Sequence, residues 1–180
     1  MRTEIRFAGF GGQGIVSAGI ITGRAAALHD KKNAVMTQSY GPEARGGACN
    51  ANVIISDQRI TFPEVTTPDL VIVMSQEAFT KFGHAIAEDG TMILDEDMVD
   101  PQGIPEGIRT LRVPATRIAE TLGNKIVANV VMLGVLASLG DVVKPEAMLA
   151  AVRASVPERF IELNQCAFQA GCDFVKEDAL

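Results

Sequence analysis

Six residues near the amino terminus, Gly9-Phe10-Gly11-Gly12-Gln13-Gly14, have the spacing G-x-G-x-x-G. They follow a short apolar run at residues 4–8 and open an Ala- and Ile-rich stretch at residues 14–29, which reads as strand, tight turn and helix. In that setting glycines let the backbone come close to a ligand, and a helix N-terminus offers unpaired N–H groups to an anion such as a phosphate. The same glycines would equally let a helix pack tightly on a sheet, and the residues by themselves leave both readings open. Gly9, Gly11, Gly12, Gln13 and Gly14 are the candidate cofactor-binding residues.

The second candidate is the segment Gln38-Ser39-Tyr40-Gly41-Pro42-Glu43-Ala44-Arg45-Gly46-Gly47, a loop expected at the carboxyl end of a strand, where open α/β sheets hold their ligands. Arg45 offers a bidentate contact to a phosphate or carboxylate, while Ser39 and Tyr40, the one tyrosine of the chain, offer hydroxyls. The plainer reading is a surface loop in which Arg45 pairs with Glu43. A nicotinamide site would also want an acid at the end of the second strand, yet that strand ends Met36-Thr37-Gln38, so ordinary NAD binding is disfavoured.

These segments together are specific. GFGGQG, then QSYGPEARGG at residues 38–47 and NVIIS at residues 52–56, resembles the gamma subunit of the 2-oxoacid:ferredoxin oxidoreductases. The likeness continues through DLVIVMSQEA at residues 69–78 and NVVMLG at residues 129–134, and SYGPEARGG is most similar to the 2-oxoglutarate branch. The resemblance implies a subunit that is inactive alone, in a complex that decarboxylates a 2-oxoacid, passes the acyl group to coenzyme A and sends electrons to ferredoxin. It places thiamine diphosphate, magnesium and iron–sulfur clusters on partner alpha, beta and delta (ferredoxin-like) subunits, with coenzyme A met partly at this chain's surface. On that reading Ser39, Tyr40, Gly41, Pro42, Glu43, Arg45, Gly46 and Gly47 form a loop on the coenzyme A and substrate side. Two alternatives are a stand-alone Rossmann-like nucleotide-binding module and a purely architectural subunit; the isolated chain is also a candidate homodimer.

The elements that must position these residues are legible in outline. Apolar runs at residues 33–38, 50–56, 69–74 and 92–95, with a weaker one at 109–113, read as strands, and residues 75–90 and 115–122 as helices between and after them. From residue 126 onward the pattern is helical, with Pro145 and Pro157 opening the last two helices. The fold expected is α/β: a three-layer Rossmann-like open, mostly parallel sheet with helices on both faces and a helical C-terminal third, forming one domain over residues 1–180. The helix at residues 126–139 is apolar on too many sides for one stripe and should be buried all round. Asn129 within it needs a backbone or loop partner, the glycine-rich turn being the candidate.

Composition narrows the function. The net charge of −6 gives no basic footprint for nucleic acid and little attraction to anionic membranes. No apolar run is long enough to span a bilayer, and charges at Arg2, Glu4 and Arg6 interrupt any secretory signal, so a cytoplasmic location is expected. Three cysteines, Cys49, Cys166 and Cys172, are too few to ligate an iron–sulfur cluster from this chain and read as reduced, mostly buried thiols. His29 and His84 suggest no metal site, and neither a histidine base nor a carboxylate pair stands out as catalytic.

Overall fold

A computed structural model of the chain describes residues 1–39, 47–140 and 142–178. Its strands are β1 (Arg2–Phe10), β2 (Asn33–Ser39), β3 (Ala48–Ser56), β4 (Leu70–Val73), β5 (Thr91–Asp95) and β6 (Arg109–Val113). Its α-helices are α1 (Ile15–Arg24), α2 (Gln76–Phe82), α3 (Ala115–Thr121), α4 (Ala128–Ser138), α5 (Pro145–Ser155) and α6 (Ile161–Asp178). A π-helical turn, Ala25–His29, extends α1, and tight 3-10 turns lead into α4 and α6.

One six-stranded sheet has the order β2-β3-β1-β4-β5-β6. β1, β4, β5 and β6 pair in parallel, whereas β3 runs antiparallel to both β1 and β2. The sheet is therefore mostly parallel, as the alternation of strands and helices implies, with one reversed strand inserted beside β1. β4, Leu-Val-Ile-Val, is buried along its whole length, which suits a strand covered on both faces. β2 lies at an edge and is half-buried or exposed throughout.

The two faces are covered unequally. Ile5, Phe7, Val53, Ile55, Ile72 and Ile93 join a large core with side chains from α1, α3, α4, α5 and α6. Ala8, Val71, Val73, Met92 and Leu94 point the other way, into a smaller core with Ala78 and Phe79 of α2. α2 is shorter than the periodicity of residues 75–90 predicts. Gly83 closes it by donating its N–H to Phe79 O (2.7 Å), and the Ala87 N–H then goes to Pro68 O (3.0 Å) rather than into a helical ladder.

α4 is buried over every residue from Ala128 to Ala137. It crosses α6 at two glycines that leave no room for a side chain: a Cβ on Gly134 would overlap the Phe168 carbonyl, and one on Gly171 the Val131 carbonyl. The Gly134 of the N-V-V-M-L-G segment is thus a packing residue.

Candidate functional site

The glycine-rich turn leaves the carboxyl end of β1, and its residues divide by what surrounds them. A Cβ on Gly9 would lie 2.5 Å from Ile15 Cδ1 and 2.7 Å from Gln13 Oε1, so this glycine lets α1 close onto the strand. Gly14 sits in left-handed conformation at φ 72°, and its would-be side chain coincides with the Asn129 carboxamide. Asn129 Nδ2 donates to Gly14 O at 3.2 Å, so the buried amide of α4 finds its partner on the turn. Gly11 and Gly12 are exposed, and nothing lies within 4 Å of a Cβ built on Gly12, whose φ is +103°. Of the five candidates, these two face open space.

Gln13 is half-buried and uses both ends of its amide within the fold. Its Oε1 accepts from Phe10 N at 2.6 Å and its Nε2 donates to Met74 O at 2.7 Å. β1 leads into α1 on one face of the sheet and its neighbour β4 leads into α2 on the other, so the crevice between their carboxyl ends is a topological switch point. Gln13 spans that crevice.

Beside it opens a cleft of about 320 Å³ lined by Gly12, Gln13, Met74, Met98, Thr116, Lys125, Ile126 and Ala128. Among the described residues of this lining Lys125 is the charged one; it pairs with Glu120 at 2.6 Å on the surface, which holds its ammonium pKa above the ordinary lysine value. The first turn of α1 carries no acidic residue. The start of α1 turns backbone N–H groups toward this edge, while the Lys125 charge is matched by Glu120. Asp95 organises the far wall: wholly buried at the end of β5, it accepts from Thr116 Oγ1 (2.6 Å), from Asp97 N (3.3 Å) and, more distantly, from Thr116 N (3.5 Å). Burial pushes its carboxyl above the usual carboxylate range, against the pull of these donors.

The second candidate segment begins and ends at the same edge. Ser39, exposed, closes β2 opposite Asn50, and Asn50 in turn pairs with Ala8. Gly47, half-buried, precedes Ala48, which pairs with Phe10 at the head of the glycine turn. The Ala48 N–H donates to Glu77 Oε1 of α2 at 3.2 Å. Tyr40, Gly41, Pro42, Glu43, Arg45 and Gly46 lie outside the described residues. Since β3 separates β2 from β1, an acid at the end of β2 would not have stood beside the turn, which explains physically why the nucleotide pattern is incomplete.

Sequence reasoning did not find Met74, Met98, Thr116, Lys125 or Asp95. Their shared signal is position: each follows or closes a strand, or opens a helix, at the carboxyl edge. Cys49 and Cys172 are buried and burial pushes both thiols up, while Cys166 is exposed on α6. Among the described residues no group of three or more His, Cys, Asp or Glu could hold a metal ion, and no helix is long and apolar enough to cross a membrane.

Fold and cleft define a Rossmann-like α/β protein with a crevice at its switch point and without the acidic strand end of a dinucleotide site. The chain belongs to the pyruvate ferredoxin/flavodoxin oxidoreductase family, which it matches over residues 4–174. It is 50% identical over 179 residues to the 2-oxoglutarate synthase subunit KorC of Methanocaldococcus jannaschii, covering 98% of this chain and 96% of that one. The keto/oxoacid ferredoxin oxidoreductase gamma subunit of Geobacter sulfurreducens superposes with a TM-score of 0.85 at 43% identity, over 95% of this chain and 94% of the other. The fold also recurs, with a TM-score of 0.89 at 23% identity, in the 2-oxoglutarate:ferredoxin oxidoreductase of Magnetococcus marinus solved with 2-oxoglutarate, coenzyme A and succinyl-CoA; the match covers 98% of this chain and 31% of that longer one.

Proposed function

We propose that this chain is the gamma subunit of a thiamine-dependent 2-oxoglutarate:ferredoxin oxidoreductase, which converts 2-oxoglutarate and coenzyme A to succinyl-CoA and carbon dioxide and delivers an electron pair to ferredoxin. The observation that carries this reading is the 50% identity to a 2-oxoglutarate synthase subunit over nearly the whole of both chains. Likeness to subunits named for other 2-oxoacids is lower: 32% for a ketoisovalerate subunit, 34% for a pyruvate subunit and 27% for an indolepyruvate subunit.

In this proposal alpha, beta and delta partner subunits hold thiamine diphosphate, magnesium and the iron–sulfur clusters, which supply the decarboxylation and electron-transfer chemistry. This chain binds and orients. The exposed Gly11 and Gly12 at the head of α1, together with Lys125, receive the phosphate-bearing end of coenzyme A, which Lys125 meets by exchanging its surface pair with Glu120. The Ser39 to Gly47 segment, with Arg45 as its cation, flanks the approach of the 2-oxoacid; both of its ends emerge at the edge that carries the glycine turn. Met74, Met98 and Ile126 give the cleft apolar walls.

The test is affinity purification of the tagged chain from its native anaerobic lysate, with coenzyme A-dependent viologen reduction assayed for 2-oxoglutarate, pyruvate and 2-oxoisovalerate. Co-purification of larger subunits with a preference for 2-oxoglutarate is expected. Elution of the chain alone with a bound nucleotide, from cells shown to express it, would reject the proposal. In the purified complex, Arg45→Ala should raise the apparent KM for coenzyme A or lower turnover without dissolving the assembly.

A further inference from the structure

Gln13 occupies the position in the glycine-rich turn where a ligand contact would be sought, yet its amide is engaged elsewhere. One end accepts from Phe10 N (2.6 Å), within its own turn, and the other donates to Met74 O (2.7 Å), past the end of the neighbouring strand β4. No smaller or singly functional side chain can do this: asparagine is a methylene short, glutamate at neutral pH lacks the donor, and methionine lacks both groups. The two bonds tie together strands whose helices depart to opposite faces of the sheet, at the crevice where Gly12 and Met74 line the cleft. Asn129 holds the other end of the turn through Gly14 O (3.2 Å). The exposed Gly11 and Gly12 are thus clamped between two side-chain amides from different parts of the chain.

We infer that Gln13 is a positioning residue: it fixes the aim of the Gly11 and Gly12 N–H groups at the switch-point crevice, and it does not itself touch the ligand. This inference rests on the proposed function, in which those groups receive coenzyme A. The turn has two glycines of positive φ and would sample other conformations without the clamp. A ligand would then bind only the fraction of molecules with the turn correctly set, which raises the apparent dissociation constant and leaves the bound state unchanged.

The experiment uses the assembled complex carrying Gln13→Met, which keeps volume and loses both hydrogen bonds. The apparent KM for coenzyme A should rise roughly tenfold, with kcat and the KM for 2-oxoglutarate nearly unchanged. Independently of turnover, hydrogen exchange of the amides in residues 9–16 should be faster than in the wild-type complex before ligand is added. If Gln13→Met does not assemble, Gln13→Glu retains size and the acceptor half and should show the same split. A coenzyme A KM within about twofold of wild type, or a fall in kcat alone, would overturn the inference. Lys125→Glu separates the two failures. If it raises the coenzyme A KM and Gln13→Met does not, the positioning role is wrong; if neither variant changes it, the placement of coenzyme A at this turn is wrong.

Discussion

A side chain at position 14 would need a left-handed backbone and the space that the Asn129 carboxamide fills. Gly14→Ala should therefore destabilise the chain by about 2–3 kcal/mol, from αL strain plus overlap. Asn129→Ala should cost about 1 kcal/mol through its lost hydrogen bond. Because the second change makes room for the first, the double variant should fall short of the sum in urea unfolding; strict additivity would deny the contact. Asp95 supplies a test by pH. Its folded carboxyl titrates above the ordinary range, so in that interval the folded chain keeps a proton that the unfolded chain has released. Stability then declines as pH rises from about 4, the ordinary carboxylate value, through the folded titration, and levels off above it. Urea midpoints of Asp95→Asn measured against wild type should shift in favour of the variant across that interval, and a pH-independent difference would contradict the assignment. The glycine spacing and the need of Asn129 for a partner were legible at this scale. That Gln13 turns inward was not, because the motif fixes where a residue stands and not which neighbouring strand its amide meets.

Among the elements, α4 and α6 meet where each has a glycine, and the backbone of one helix fills the space a side chain would take on the other. Gly134→Ala or Gly171→Ala must push the helices apart and loosen Val131, Val135, Phe168 and Cys172, all core residues. A loss of about 3 kcal/mol or more is expected in thermal unfolding followed by circular dichroism, and unchanged melting would show that the crossing is not close. The same burial predicts that a thiol reagent labels Cys166 quickly and reaches Cys49 and Cys172 only on unfolding. The apolar run of β4, the all-round hydrophobicity of α4 and the proline at the start of α5 made those elements readable. The reversal of β3 carried a weaker signal. Only residues 40–47 join β2 to β3, fewer than the dozen or so that a parallel crossover requires, so an antiparallel return was implicit in the spacing. The cleft was hidden because Met74, Met98, Thr116 and Lys125 come from four separate stretches that only the strand order brings together.

At the scale of the molecule, α1, α3, α4, α5 and α6 build the core on one face of the sheet, α2 covers the other, and the carboxyl edge between them carries a cleft whose described lining holds Lys125 and no acid. Such a chain can bind, orient and shield, and its family assigns it to oxidoreductase complexes. The reconstitution of partner subunits with and without this chain is the most direct test of that division of labour. With all subunits present, 2-oxoglutarate should reduce viologen in a coenzyme A-dependent reaction, and omission of this chain should abolish that activity, which returns when the purified chain is added back. Full coenzyme A-dependent turnover by the other subunits alone would contradict the account.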